Sequence, residues 1–380
     1  METNISIIVP VFNAENYLFR CLCSLISQTY GFIEIICIND GSTDHSAEIL
    51  ERFACLDSRI KVIYQENLGP AAARNKGLEA ATGKYVMFCD ADDSYEHDMC
   101  EKMFNAMLIH NVDLVMCDCR VNTTPYANFR QENDILYHRL KLTGYNFIDS
   151  KIYNSVNVVL WNKILKMSMI KKYNIKFPDG YEHDDACFIL KYLAVSTLYY
   201  GLDEVLYNYN ICNPESLMAK VYKRNNYGKK LDFLYAYYDV LQFILKNPVR
   251  KEIAEGFKHM YVNQINHFSQ FLNNREQAAM LAILHGQLED IEFFENNKLI
   301  NSIKEGNLKK ARIYLNRKSK MTFWQQIFSL KNKSDRIKML TVLGVGIPLP
   351  RKSSRAGLYK VNYTNKVCKC SNDARQVLKC

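Results

Sequence analysis

The stretch Lys84-Tyr85-Val86-Met87-Phe88-Cys89-Asp90-Ala91-Asp92-Asp93 constrains the fold more than any other. A short apolar run of β-formers without polar alternation reads as a strand covered on both faces, which places it inside a parallel sheet. The run ends in three carboxylates within four positions. Acidic side chains at the carboxyl end of such a strand face the crevice where open α/β sheets take ligands. Like charges this close repel unless a cation or solvent offsets them. Hard divalent cations take oxygen ligands, and Mg²⁺ commonly uses one or two carboxylates plus substrate phosphates. Taken alone, the same residues would also make an acidic turn ahead of a helix.

The surrounding chain repeats one pattern. Ile5 to Phe12 is a β-branched strand whose Pro10 falls where pairing would stop. Asn16 to Gln28 follows with apolar residues at helical spacing. A second buried strand, Ile33 to Ile38, leads into Asn39-Asp40-Gly41-Ser42-Thr43-Asp44, a tight turn in which Ser42, Thr43 or Asp44 can cap the helix through Phe53. Arg59 to Gln65 reads as a third strand, and Pro70 opens an Ala-rich helix. After the central strand come a helix, Asp98 to His110, and a strand, Val112 to Cys117. Such alternation through about residue 120 predicts an α/β fold with a parallel sheet flanked by helices and joined by right-handed crossovers.

Beyond it, residues 120–140 are polar and irregular, a surface excursion, and Phe177-Pro178-Asp179-Gly180 is a turn signal. Glu182-His183-Asp184-Asp185 then opens a helix with Phe188, Ile189, Tyr192 and Leu193 as apolar positions. Residues 222–315 carry long helical patterns without strand signals. Three parts are predicted: residues 1–215 around the sheet, a helical extension over 216–320, and a basic tail over 321–380.

Charge is divided unevenly along the chain. Its formal net charge is +9, yet residues 301–380 hold 19 Lys/Arg against 3 Asp/Glu, a net of +16, which leaves residues 1–300 at −7. The basic end therefore suits an anionic partner, either a membrane surface or nucleic acid, and the acidic turns do not share it. Phe323, Trp324, Ile327 and Phe328 would share one face of a short helix running to Leu330, flanked by Lys331, Lys333, Arg336 and Lys338 and followed by the apolar run Met339 to Pro350. Aromatic rings beside clustered cations fit a membrane surface, so residues 323–352 are candidates for contact with anionic lipid, or for docking on the protein's own core.

The 13 cysteines form three C-x-C pairs and no C-x-x-C, and most lie in apolar runs where the thiol acts as a small hydrophobe. An odd count with no basic-then-apolar leader points to a reducing, cytoplasmic setting. No run reaches about 18 apolar residues, so no spanning helix is predicted.

Five segments in order resemble the inverting family 2 glycosyltransferases, nucleotide-sugar enzymes of the GT-A fold. They are Ile7 to Asn13, Asn39 to Asp44, Asn67-Leu68-Gly69-Pro70 with Ala73-Arg74-Asn75-Lys76-Gly77, Phe88 to Asp93, and Phe177 to Gly180 with His183-Asp184-Asp185. The resemblance spans roughly residues 4–215; a vaguer one links Phe328 to Asn332 and Leu343-Gly344 to tails of enzymes from bacterial surface-polysaccharide clusters. It implies that Asp92, with Asp90, holds Mn²⁺ or Mg²⁺, Asp90 and Ala91 also lying at the nucleotide-sugar, with Asp93 behind them. It implies that Asp40 meets a uracil edge, that Arg74 contacts the diphosphate, and that Pro10, Val11, Phe12, Asn13 and Glu15 border the nucleoside, Phe12 rather as core.

Asp185 matches the second acid of the family's Glu-Asp pair and is the implied general base. Asp184 stands where Glu is usual, which leaves both carboxylates as candidates. Two multi-span features of processive synthases, the membrane helices and a Q-x-x-R-W motif, are missing. The implied reaction is therefore transfer of one or few sugars to a lipid-linked or polysaccharide acceptor at the inner membrane face, with no nucleic-acid partner. A nucleotidyltransferase would want a Gly- and Lys/Arg-rich phosphate loop after the first strand, and Val11-Phe12-Asn13-Ala14-Glu15 has none. A dehydrogenase would want G-x-G-x-x-G there. An inactive scaffold fits the basic tail and leaves the ordered carboxylates unexplained.

Overall fold

In the computed structural model the chain divides into two units, Met1–Ser319 and Lys320–Cys380. Residues 3–122, 143–178, 180–181, 183–210, 231–294 and 297–315 are described, together with the backbone of residues 329–334, 337–342 and 345–349.

The first unit is built on strands β1 (Ile5–Val11), β2 (Ile33–Asp40), β3 (Ile60–Gln65) and β4 (Tyr85–Phe88), which lie parallel in the order β3-β2-β1-β4. Helices α1 (Glu15–Ile26), α2 (Ser46–Leu56) and α3 (Pro70–Ala80) connect them. Side chains alternate across these strands. Ile5, Ile7, Val9, Ile35, Cys37 and Met87 join one apolar core with α1 and with α4 (Met99–His110). Ile8, Ile36, Ile38, Val86 and Phe88 join a second core with α3. Burial on both faces is why these strands show no polar alternation in the sequence. Close packing also explains Gly77: a Cβ there would come 2.5 Å from Ile8 Cγ2, so any larger residue would push α3 off β1.

The remainder of the sheet departs from the parallel expectation. Strand β6 (Leu114–Asn122) does not lie beside β4, because β8 (Lys163–Lys166) inserts between them antiparallel to both. β9 (Leu198–Asn210) pairs parallel with β6, and the short β5 (Ser94–Tyr95) and β7 (Gly144–Phe147) pair antiparallel with β9. The result is a mixed nine-stranded sheet in the order β3-β2-β1-β4-β8-β6-β9-β5, with β7 on β9. Helices α5 (Ile152–Ser155) and α6 (Met167–Lys172) flank β8, and α7 (Asp184–Val195) leads into β9.

Helices α8 (Asp232–Lys246), α9 (Lys251–Ser269), α10 (Asn274–Leu288) and α11 (Lys298–Lys304) follow. Their apolar faces, among them Phe233, Val240, Phe257, Tyr261, Leu284 and Ile300, belong to the same core as Phe88 and Phe188. The extension is thus packed on the sheet unit, not strung out from it.

The second unit contributes three antiparallel strands, Ser329–Ser334, Ile337–Val342 and Val345–Leu349. This corrects the helix anticipated up to Leu330, since Ser329 and Leu330 already pair as strand with Thr341 and Leu340. Phe323, Trp324, Ile327 and Phe328 lie outside the described residues, as do the excursion at 123–142 and everything after Leu349.

Candidate active site

The carboxyl ends of β1, β2 and β4 share one edge of the sheet, so Val11, Asp40 and Asp90 emerge along it. At β4 the chain leaves the sheet at Cys89 and folds into a tight acidic turn, with the Asp93 N–H donating to the Asp90 carbonyl at 3.0 Å. Asp93 points inward and is fully buried. It accepts hydrogen bonds from the Tyr207 hydroxyl at 2.6 Å and the Asn210 N–H at 2.7 Å, so β9 anchors the turn. Burial, and then the charges of Asp92 and Asp90, push the Asp93 carboxyl well above the ordinary range. Tyr207 is itself stacked on Trp161, 4.4 Å between ring centres. The turn is therefore held from behind, leaving Asp90 and Asp92 partly open to solvent.

The centre of the site is Arg74, on α3. Its side chain is 8% exposed and touches three carboxylates from two distant segments. Nη2 donates to Asp90 Oδ1 at 3.1 Å, Nη1 donates to Asp184 Oδ2 at 2.7 Å, and Nη1 lies 2.9 Å from Asp185 Oδ1. The contact with Asp185 is an ion pair without hydrogen-bond geometry, which leaves Asp185 Oδ1 buried and not hydrogen-bonded. Burial raises the Asp185 carboxyl well above an ordinary carboxylate, with Arg74 pulling it down and Asp184 and Asp90 adding repulsion. For Arg74, burial opposes the charge, but Asp185, Asp184 and Asp90 outweigh it and raise the pKa.

The segment bearing the two aspartates is fixed by the next residue of α3. Asn75 Nδ2 donates to the Phe177 carbonyl and the Phe177 N–H returns to Asn75 Oδ1, each at 2.9 Å. Phe177 stacks on Phe188 of α7 at 4.1 Å, and the Arg74 guanidinium sits 5.7 Å from the Phe177 ring centre. His183, in the left-handed region at φ 75°, precedes the helix.

Other anticipated residues lie along the same edge in different surroundings. Asp40 is 3% exposed, and its carboxylate accepts from Gln65 Nε2 at 2.8 Å, the Leu68 N–H at 2.9 Å and the Gly69 N–H at 3.0 Å. It thus shapes the loop after β3. Gly41 makes the adjoining turn at φ 69°, and a Cβ there would meet the Asn67 nitrogen at 2.8 Å. Asn13 Oδ1 accepts from the Thr43 N–H and Glu15 Oε2 from the His45 N–H, so both tie the turn after β1 to the turn after β2. The cap expected at Ser42, Thr43 or Asp44 falls instead at His45, whose side chain makes no capping bond; Asp44, one residue earlier, accepts from the Ser46 N–H at 3.0 Å through Oδ1. Phe12 is 47% exposed and so is no core residue, whereas Val11, the last residue of β1, is wholly buried. Pro10 is half-buried and Ala91 buried.

Asp90 and Asp92 offer the oxygen donors that a hard cation takes. Among the described residues no three His, Cys, Asp or Glu side chains converge closely enough to enclose a metal ion. Two carboxylates completed by a ligand's own oxygens is the arrangement these residues allow.

Several residues escaped the sequence reading. Lys163 of β8 is fully buried, donating to the Val159 carbonyl at 2.6 Å and Asn162 Oδ1 at 2.7 Å; burial lowers its pKa to about 7. Asn75 and Tyr207 hold the two acidic segments. Asn75 stood in the Ala73 to Gly77 segment that carries the resemblance without a role assigned to it, and no signal marked Lys163 or Tyr207.

The mixed sheet flanked by helices, with acidic residues gathered at its carboxyl edge, agrees with the GT-A class that the resemblance implied. The glycosyl transferase family 2 model matches residues 6–175. An uncharacterized glycosyltransferase of Haemophilus influenzae is 34% identical over 203 residues, 51% of this chain and 75% of that one. The putative glycosyltransferase EpsH of Bacillus subtilis is 40% identical over 179 residues, 47% of this chain. The chain spans about half of EpsH, 52% of its length. Among solved structures, S. aureus TarS 1-349 in complex with UDP-GlcNAc superposes with a TM-score of 0.66 at 18% identity, covering 91% of this chain and 99% of that one. The chain belongs to glycosyltransferase family 2.

Proposed function

We propose that this glycosyltransferase moves a single sugar, with inversion, from a nucleoside-diphosphate sugar to a lipid-linked or polysaccharide acceptor in cell-surface glycan synthesis. The observation that carries this reading is the meeting of Asp90, Asp184 and Asp185 on one buried guanidinium. A carboxylate of the acidic turn and a candidate base, 95 positions apart, thereby face one space.

Inversion needs the acceptor hydroxyl to attack the anomeric carbon opposite the leaving diphosphate. A hydroxyl is too weak an acid to ionise at neutral pH, so a carboxylate must take its proton as the bond forms. Asp185 is the better base: Asp184 spends Oδ2 on a true hydrogen bond with Arg74 and is 14% exposed, whereas Asp185 makes no hydrogen bond to Arg74 and is 29% exposed. Asp40 has three of its roughly four lone-pair positions occupied, and one remaining position suits a single N–H of a pyrimidine base. The exposed Phe12 ring would border the nucleoside.

Asp90 and Asp92 would hold Mn²⁺ or Mg²⁺ together with the diphosphate, and the cation would supply Lewis-acid stabilisation of the leaving charge. UDP-sugars are the first donors to test, by the resemblance to uracil-binding enzymes and because TarS was solved with UDP-GlcNAc. The net charge of +16 over residues 301–380 supports an anionic membrane surface as the place of action. No helix among the described residues is long and apolar enough to cross a membrane.

The test is a panel of nucleotide-sugars and plain nucleoside triphosphates, scored by thermal shift with Mn²⁺, since a ligand stabilises by mass action. Stabilisation by one UDP-sugar, followed by its consumption with acceptor, is the expected result. Stabilisation by triphosphates alone would favour nucleotidyl transfer, and consumption undiminished in Asp185→Asn would remove that residue as base.

A further inference from the structure

We infer that Arg74 is the positioning residue of the base, spacing Asp185 from the acidic turn, and that the donor diphosphate is not its partner. The inference rests on the reading of Asp185 as general base and deepens it. By the resemblance to family 2 glycosyltransferases, Arg74 would be a diphosphate contact. Its surroundings say otherwise: Nη2 donates to Asp90, Nη1 donates to Asp184 and lies 2.9 Å from Asp185, and Nε, which has no hydrogen-bond partner, is buried out of reach of a ligand. At 8% exposure the side chain presents little surface to a ligand.

A guanidinium is a planar fork whose donors keep fixed mutual directions, unlike the mobile point charge of lysine. Carboxylates bound at its two ends are therefore held at a set separation. Here one end takes Asp90 of the acidic turn and the other takes the Asp184-Asp185 pair at the start of α7. The separation that matters in an inverting transfer is the one between the leaving diphosphate and the base on the opposite side of the sugar. Arg74 sets it with one rigid group. The division of labour at Nη1 follows: Asp184 takes the directed hydrogen bond, while Asp185 is attracted without being hydrogen-bonded and stays the more exposed of the two, 29% against 14%.

α3 is itself rigidly placed for this task. Gly77 lets it lie against Ile8 of β1, and Asn75 clamps Phe177 just ahead of the Asp184-Asp185 segment. The same helix thus grips the base segment at two points.

The contrast with a diphosphate contact is measurable. A residue binding the diphosphate changes donor affinity, whereas a spacer changes turnover at saturating donor, since misplacement by about 1 Å costs on the order of 100-fold in rate. The experiment compares native protein with Arg74→Lys and Arg74→Ala, reading UDP affinity by calorimetry with Mn²⁺ and kcat for sugar transfer. In Arg74→Lys, kcat is expected to fall about 100-fold with UDP affinity within about threefold of native. Free guanidinium at tens of millimolar is expected to restore part of the kcat of Arg74→Ala.

Asp184→Asn serves as a second variant should Arg74 substitutions fail to fold: Arg74 keeps its place but loses one partner, and kcat should fall about tenfold at unchanged UDP affinity. UDP affinity weakened tenfold or more in Arg74→Lys or Asp184→Asn, or kcat left native in either, overturns the inference. Failure of the underlying reading looks different, because Asp185→Asn would then retain native turnover whatever Arg74 does.

Discussion

Asn75 and Phe177 grip each other through two hydrogen bonds of 2.9 Å, the amide nitrogen to the backbone carbonyl and the backbone N–H to the amide oxygen. A helix side chain thereby substitutes for a strand neighbour, satisfying a loop residue that has no ladder of its own. Asn75→Ala removes both bonds and leaves a part-buried N–H and C=O on Phe177. Loss of about 1–3 kcal/mol is expected. Turnover should fall further than UDP binding, because the loosened segment carries Asp184 and Asp185. Thermal unfolding with and without UDP checks this, and an unchanged melting temperature would show the pair to be idle.

Glu34 provides a stability switch at the opposite edge of the sheet. It is 3% exposed and accepts from Ser6 Oγ, the Thr82 N–H and hydroxyl, the Gly83 N–H and Lys61 Nζ. Burial opposes its charge, but these donors outweigh burial and lower its pKa to about 2 from 4.5. A carboxyl depressed by folding stabilises above its unfolded pKa and loses that contribution as pH falls. Stability should therefore decline between about pH 4.5 and pH 2. Glu34→Gln should cost on the order of 3 kcal/mol at pH 7 and flatten that decline. Urea unfolding across this pH range gives the answer; a decline equally steep in the variant would assign it to other groups.

Cation dependence separates the acidic turn from an ordinary capping turn. Turnover in excess chelator is expected to drop to background and return with added Mn²⁺ or Mg²⁺. Asp92→Ala should raise the cation concentration that gives half-maximal rate. Full turnover in excess chelator would take the cation out of the mechanism.

The basic end gives a fourth expectation. Protein containing residues 323–352 should float with anionic liposomes at low salt and release as salt screens the attraction. Deletion of those residues should abolish flotation, and flotation that survives deletion would place the contact elsewhere.

Much of this architecture was legible in the sequence, for a physical reason. Strands buried on both faces, such as Ile33–Asp40 and Tyr85–Phe88, must be continuously apolar, and turns at their carboxyl ends must be polar. Asp90 could be nominated from the carboxylates that end a buried strand, whereas Asp184 and Asp185 were nominated only through the resemblance to family 2 glycosyltransferases. What stayed hidden depended on contacts distant in sequence. Lys163–Lys166 is four residues with a lysine at each end, and only its neighbours β4 and β6 make it a strand. β9 mixes tyrosines with Asp203 and Glu204, a pattern that a helix or loop could equally carry. Phe12 looked like core because aromatic residues usually are, yet it stands one residue beyond the covered part of β1. Arg74 was foreseen as functional but not as the meeting point of three carboxylates, since nothing in a linear reading shows that Asp184 reaches back 110 positions.

The most direct measurement is the rate of sugar transfer by Asp185→Asn, with UDP binding measured on the same preparation and the native protein profiled against pH. A base acts only when ionised, and burial raises this carboxyl. Native kcat/KM should therefore rise with pH along a limb lying above the range of an ordinary carboxylate. In the variant the limb should vanish and turnover fall by about 10² to 10⁴-fold, the usual worth of a positioned base, with UDP still bound. Turnover within a few-fold of native, with the limb intact, would contradict the assignment of Asp185 and with it the proposed active site.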